Sequence, residues 1–453
     1  MMQTLPLITH TRADSVIAWR DGRPITAARF LSDVAQLSGM LLSGRHMLNA
    51  CSDRYRFTVG LAAALTSKKV CLLPSTHTAE TIRQLAQFAP DAFCLTDERD
   101  CSVGLPQLRF PAACEQSEPD HRIFAVPEID CTQLVAYVFT SGSTGIPLPH
   151  KKTWGALVRN VQAEAEASGL NDGRRHAVIG TVPPQHMYGF ESTVLMVMQS
   201  ANAMVAGQSF YAADICTAIQ SVPRPRTLVS TPVHLRSVIR TEQHVPVVDL
   251  VISATAPLST QLAEEIEARF EAPLLEIYGS TETGQIAMRK SARTHEWTLL
   301  RGVCLTPQGE VMWASGGHIE QPTPMNDVIE LIGGDRFLLH GRMADMINVA
   351  GKRNSLAYLN LQLMAIAGVI DGAFFMPDAG APEDVTRLTA FVVAPTHTSA
   401  TLMAALRERI DSVFLPRPLV FVDALPRNAT GKLSHDALKQ LAAARPPSTG
   451  KPG

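Results

Sequence analysis

Residues 134–139 (Leu-Val-Ala-Tyr-Val-Phe) form an apolar, β-branched and aromatic run that reads as a buried strand. It stops at Thr140 and at five small or hydroxylated residues, Ser141-Gly142-Ser143-Thr144-Gly145. Glycines there let backbone N–H groups approach a polyanion closely, and the hydroxyls add donors with little bulk. The segment is neither Gly-x-x-x-x-Gly-Lys-Ser/Thr nor Gly-x-Gly-x-x-Gly, so it is a phosphate loop of another kind, or a flexible linker. Further strands are expected at 177–181, 227–231, 249–254 and 274–278, with helices at 155–168 and 260–270 between them. Strands separated by helices specify an α/β fold with mainly parallel sheets covered by helices.

The other chemistry-bearing segments also follow strands, where open α/β sheets place ligands. Residues 275–284 read Leu-Glu-Ile-Tyr-Gly-Ser-Thr-Glu-Thr-Gly. Tyr278 can stack on a base, Thr281 can bond a phosphate oxygen, and Glu282 can ligate Mg²⁺. The competing reading is the capped start of a helix. Asp327 precedes Arg342 by fifteen residues; a carboxylate beside a guanidinium suits a ribose, although either alone is an ordinary surface charge. Lys432 follows Thr430-Gly431 in a loop near the C-terminus, placed to reach into a cleft or to decorate a surface turn.

Before 134, a helix is expected at 57–65, a strand at 69–73, and a helix at 78–88 capped by Thr76 or Thr78. Near Gly341 the texture changes. A hairpin turning at Gly333-Gly334-Asp335 leads into a shorter α+β pattern with helices at 355–366, 399–413 and from 434, and strands at 371–376, 388–394 and 419–422. The expected organisation is a large N-terminal domain (1–342), a small mobile α+β C-terminal lid domain (343–443) and a disordered tail (444–453).

Formal net charge is −2 over 453 residues, which gives no overall electrostatic case for nucleic acid. The basic pair Lys151-Lys152 reads as solvated unless its position argues otherwise. Eight cysteines include no Cys-x-x-Cys pair, so neither a zinc site nor a disulfide framework is indicated. No signal-like start and no membrane span are read, and the expected location is cytoplasmic.

The four motifs, in this order, resemble the adenylate-forming (AMP-binding) superfamily of acyl- and aryl-CoA synthetases, peptide-synthetase adenylation domains and luciferases. The stretches 149–155 (Pro-His-Lys-Lys-Thr-Trp-Gly) and 351–356 (Gly-Lys-Arg-Asn-Ser-Leu) are similar to short ligases of aryl-polyene and xanthomonadin pigment clusters. The resemblance implies that Thr140, Ser141, Gly142, Ser143, Thr144 and Gly145 close over the β- and γ-phosphates of ATP. It implies that Ser280 and Thr281 contact the α-phosphate and that Tyr278, with Gly279 beside it, stacks on adenine. By the same resemblance Glu282 positions Mg²⁺, and Thr255, Ala256 and Pro257 line the adenine and acyl sites. Asp327 and Arg342 would hold the ribose, and Lys432 would bridge the acid's carboxylate and the α-phosphate. His186, in Pro183-Pro184-Gln185-His186-Met187-Tyr188-Gly189, matches a family segment near the acyl and thiol entrances, or is a structural histidine.

Two positions depart from the pattern. Leu148 stands where the phosphate loop carries lysine, with Lys151 or Lys152 as candidate substitutes, and Ala344 stands at the usual hinge position. The implied activity is ATP-dependent activation of a carboxylic acid, aryl before fatty, as acyl-AMP. Transfer to coenzyme A or to the phosphopantetheine thiol of an acyl carrier protein would follow. The rivals are an amino-acid adenylating enzyme, which Asp172 or Glu191 could serve, and a non-catalytic ATP/AMP sensor.

Overall fold

The computed structural model describes residues 3–444 apart from 75, 116–123, 142–146, 350–351, 378–387 and 428–432. Gly142–Gly145 of the phosphate loop, Lys432 and the expected tail from 445 onward therefore lie outside the described residues.

Two parallel-centred sheets build the N-terminal part. In the first, the strands Leu134–Ser141, Val70–Leu73, His46–Asn49, Phe93–Thr96 and Gln107–Arg109 run parallel in that order. Pro147–Thr153 closes this sheet as an antiparallel edge, with Thr140 opposite Leu148 and Ala136 opposite Lys152. Two prolines and two lysines are tolerated in that strand because an edge need not donate on both sides. In the second sheet Leu274–Ser280, Leu250–Ser253, Arg226–Ser230, Ala177–Gly180, Ala203–Val205 and Val16–Arg20 run parallel. It continues past Leu274–Ser280 as the antiparallel strands Gly284–Arg289, Trp297–Leu299, Arg336–Arg342 and Asp327–Gly333.

Burial explains the helices. Arg54–Thr66 begins with Asp53 accepting from the Arg56 N–H and is buried nearly all round, as a helix between sheets must be. Trp154–Ser168 is capped by Thr153 and ends on Gly169 at φ +74°, the left-handed stop that favours glycine. Thr260–Phe270 is amphipathic, burying Leu262, Ala263, Ile266 and Phe270. Ala79–Phe88 is capped by Thr78 rather than Thr76.

Residues from Ile347 onward carry a core of their own, including Leu359, Leu363, Phe374, Val392 and Leu406. It packs around the strands Asp371–Phe375, Thr389–Val393 and Leu419–Phe421 with the helices Leu356–Met364 and Ser399–Arg407. The fold is thus mixed α/β, with a large N-terminal and a smaller C-terminal domain. The expected helix 399–413 stops at Arg407, and a single 3₁₀ turn follows at Ser412–Phe414. No described helix is long and apolar enough to cross a membrane.

The competing reading of residues 279–284, the capped start of a helix, is overturned. The segment after Tyr278 does not start a helix. Ser280 pairs with Gly284 across a tight turn, because Thr283 closes the turn on Ser280 through both side-chain and backbone contacts.

Candidate functional site

The C-terminal ends of the second sheet's parallel strands lie along one edge, where open α/β sheets place ligands. After Leu250–Ser253 the chain bends at Thr255, whose φ of +81° is strained for a β-branched residue, and passes Ala256 to the exposed Pro257. At the neighbouring ends, Thr181 contacts the Ser230 hydroxyl at 2.9 Å and His234 Nδ1 at 3.1 Å. Burial holds the His234 imidazole below its ordinary pKa.

His186 opens the short helix Met187–Gly189, its Nδ1 accepting from the Tyr188 N–H at 3.3 Å. The proton at that position must then sit on Nε2. Tyr188 anchors this turn by donating to the Ile252 carbonyl at 3.1 Å.

Tyr278 is half-buried against Trp297 and Phe337, at 5.5 and 5.9 Å between ring centroids. Asp327 and Arg342, fifteen residues apart in sequence, are direct cross-strand partners. The Tyr278 hydroxyl lies beside the Asp327 carboxylate without completing a hydrogen bond to it. Burial raises the Asp327 pKa, while Tyr278 and Arg342 oppose that shift.

The first two motifs meet. Thr140 Oγ1 hydrogen-bonds His150 Nε2 at 2.9 Å, and the same nitrogen lies 3.6 Å from Glu282 Oε1. Glu282 remains exposed at the turn. Together with the Thr140 and Thr281 hydroxyls it offers hard oxygen donors. Among the described residues no group of three or more His, Cys, Asp or Glu side chains could cage a metal by itself. One carboxylate completed by substrate phosphates and water is the way Mg²⁺ is ordinarily held, so the donor set fits that ion.

Beneath the turn lies a buried polar cluster that the sequence reading missed. Lys152 is not solvated: it is 8% exposed and faces Glu191, Glu282 and Glu320. Glu191 and Glu164 are fully buried, which pushes their carboxyls up to about 8 and about 7. Ser192 and Gln285 are the polar neighbours of Glu164, yet among the described residues neither of its carboxylate oxygens completes a hydrogen bond. Strand periodicity was the available signal: in Pro147–Thr153 the even positions share a face. That face carries Leu148, His150 and Lys152, and Leu148 at its outer end is exposed.

Of the carboxylates considered for an α-ammonium, Asp172 is engaged and Glu191 is buried. Asp172 accepts from Arg174 Nε at 2.7 Å, and Glu191 faces Lys152 inside the protein.

Comparison with known proteins bears on this geometry. The family described as "AMP-binding enzyme" matches residues 11–331, and "AMP-binding enzyme C-terminal domain" matches 379–432. A 4-coumarate–CoA ligase of Rhodobacter capsulatus is 30% identical over 297 residues, covering 65% of this chain and 73% of that protein. A 4-chlorobenzoate–CoA ligase of an Arthrobacter species is 24% identical over 350 residues, covering 67% and 66%. The ATP-bound crystal structure of MatB from Rhodopseudomonas palustris shares the fold, with a TM-score of 0.80 at 16% identity over 96% of this chain and 97% of that one.

Proposed function

The chain belongs to the AMP-binding enzyme family, and from that premise we propose that it is an AMP-forming acid–thiol ligase acting on an aryl carboxylic acid. The observation that carries the site is the meeting of Thr140, His150 and Glu282, which joins the phosphate-loop strand to the acidic turn. The named aryl-acid ligases among its relatives support the aryl acid, as does the similarity of 149–155 and 351–356 to pigment-cluster ligases. A fatty acid is the next class. Engagement of Asp172 by Arg174 and burial of Glu191 argue against an amino acid.

In the first step an oxygen of the acid's carboxylate attacks the α-phosphorus of ATP. The bond to the bridging oxygen breaks, and pyrophosphate leaves with the electron pair. Two anions must approach, so the protein's task is placement and charge compensation. Ser280 and Thr281 present donors to the α-phosphate, and residues 140–145 are assigned to the β- and γ-phosphates. Tyr278 and Gly279 pack against the base, Asp327 accepts from ribose hydroxyls beside Arg342, and residues 255–257 line the adenine and acyl sites. Glu282 would hold Mg²⁺, which when bound supplies compensating positive charge on the phosphates. Lys432 is assigned the compensation of charge between the two reacting anions.

In the second step a thiolate attacks the acyl carbonyl and AMP departs, a far better leaving group than oxide. His186 stands at the acyl and thiol entrance in this reading. Coenzyme A is the favoured acceptor and a carrier-protein phosphopantetheine the second. The proposed domain boundary follows Arg342; the end of its strand there and the separate core from Ile347 onward support it. Eight cysteines with no disulfide among the described residues suit a reducing compartment such as the cytoplasm.

The test is incubation with Mg²⁺-ATP, coenzyme A and a panel of hydroxybenzoates, cinnamates, fatty acids and amino acids, read as AMP release and thioester mass. An aryl-CoA is expected. AMP release with fatty or amino acids alone would refute the aryl reading, and turnover only with a carrier protein would reassign the acceptor.

A further inference from the structure

The turn Thr281–Thr283 is gripped from inside the protein at two consecutive carbonyls. His318 Nε2 donates to the Thr283 carbonyl at 2.9 Å, and Lys152 Nζ reaches the Glu282 carbonyl at 3.5 Å. His318 comes from the sharp connection between the strands Val311–Gly316 and Ile319–Met325, and Lys152 from the edge strand beside the phosphate loop. Both side chains are buried, and burial holds His318 down to about 4, hence neutral. A neutral imidazole that donates through Nε2 leaves Nδ1 as an acceptor, and Nδ1 is buried with no partner among the described residues.

The turn has no slack toward these groups. A Cβ on Gly284 would meet Asn160 Nδ2 at 2.2 Å, and Glu191 Oε1 and His318 Nε2 at 3.2 Å each. On its other side the turn is open to solvent, with Glu282 exposed. Orientation of the 282 and 283 peptides is therefore set from the buried side, while the carboxylate works on the open side.

We propose that Lys152 and His318 are positioning residues for adenylate formation: together they fix the two carbonyls that aim Glu282 and Thr281 at the nucleotide. Lys152 thereby takes a part in the phosphate site that Leu148, exposed at the outer end of the same strand face, does not play. It does so through the acidic turn rather than by touching ATP. The inference rests on the reading of residues 280–284 as the nucleotide-contacting turn.

The test compares His318→Leu, His318→Gln and Lys152→Met with the unsubstituted full-length protein. The readouts are ATP–pyrophosphate exchange, ATP titration calorimetry with and without Mg²⁺, and thermal unfolding. Groups that orient a metal-binding carboxylate typically contribute roughly 10–100-fold in metal affinity or activity. His318→Leu and Lys152→Met should lose kcat on that scale, leave the KM of the acid unchanged, and lose most of the Mg²⁺-dependent gain in ATP affinity. His318→Gln, which keeps a donor, should recover much of both.

A His318→Gln protein as impaired as His318→Leu, or losses that follow the unfolded fraction alone, would overturn the proposal. If His318→Leu does not fold, Lys152→Met carries the comparison by itself. Should the unsubstituted protein exchange with no acid, the activation reading fails. The calorimetry still decides the positioning role, which falls if Mg²⁺ raises ATP affinity equally in all variants.

Discussion

Gly284→Ala probes the turn most sharply. Gly284 sits at φ +71°, where an L-residue costs about 1–2 kcal/mol. Its new methyl would lie 2.2 Å from Asn160 Nδ2, 1.2 Å short of ordinary contact at 3.4 Å. Asn160 is buried, so either it or the hairpin must move, and overpacking of this kind costs about 1–3 kcal/mol. The expected loss is roughly 2–5 kcal/mol in urea unfolding. A displacement near 1 Å in a positioned group costs on the order of 10²-fold in rate, so ATP–pyrophosphate exchange should fall to about that extent in protein that remains folded. Adding Asn160→Ala relieves the clash and leaves the φ term, so the double variant should regain stability but only partly. Unchanged unfolding and exchange in Gly284→Ala would refute both the strain at this position and the tightness of the turn.

Other expectations follow from the same geometry. Glu164 is raised from 4.5 to about 7 by burial, so the folded protein binds more protons than the unfolded chain between those values. Its stability contribution is therefore intact below about 4.5 and is lost as pH rises through about 7. Glu164→Gln should flatten that fall and gain up to about 3 kcal/mol over the wild type at pH 8, as read by urea unfolding at pH 5 and pH 8. Equal pH slopes would contradict the buried carboxyl. Arg54 is fully buried and donates to the carbonyls of Gly180, Val182, Val205 and Gly207 and to the Thr193 hydroxyl. Arg54→Met leaves those acceptors without their donor and should cost about 3–5 kcal/mol in the same assay; a near-native midpoint would refute it. Lys432→Ala should lower adenylation by roughly 10²–10³ while leaving thermal unfolding unchanged. Unaltered acyl-adenylate formation in that variant would remove Lys432 from its assigned place.

Much of the parallel centre was legible because its strands are mainly apolar runs and several of them lead into helices. Residues 249–254 and 260–270 appear as Leu250–Ser253 and Thr260–Phe270. The antiparallel margin between Gly284 and Met325 was not. Past the buried strand Gly284–Arg289 its strands are short or partly solvated; Val303–Gln308 alternates little and contains Pro307, and Ile319–Met325 contains Pro322 and Pro324. Asp327 and Arg342 were legible as a pair because the Gly333-Gly334-Asp335 turn folds their strands onto one another. Lys152 was misread because two prolines and a basic pair hid the edge strand, and only the strand's alternation turns Lys152 inward. The partners that make Glu191 an interior acid come from three distant segments, a convergence that no local pattern encodes.

The central claim is acid activation through an acyl-adenylate, and carboxylate-dependent ATP–pyrophosphate exchange tests it without assuming the thiol acceptor. Labelled pyrophosphate should enter ATP only when an aryl acid is present, and the rate should saturate with that acid. Exchange with none of the hydroxybenzoates, cinnamates, fatty acids or amino acids, in protein that binds ATP, would contradict it.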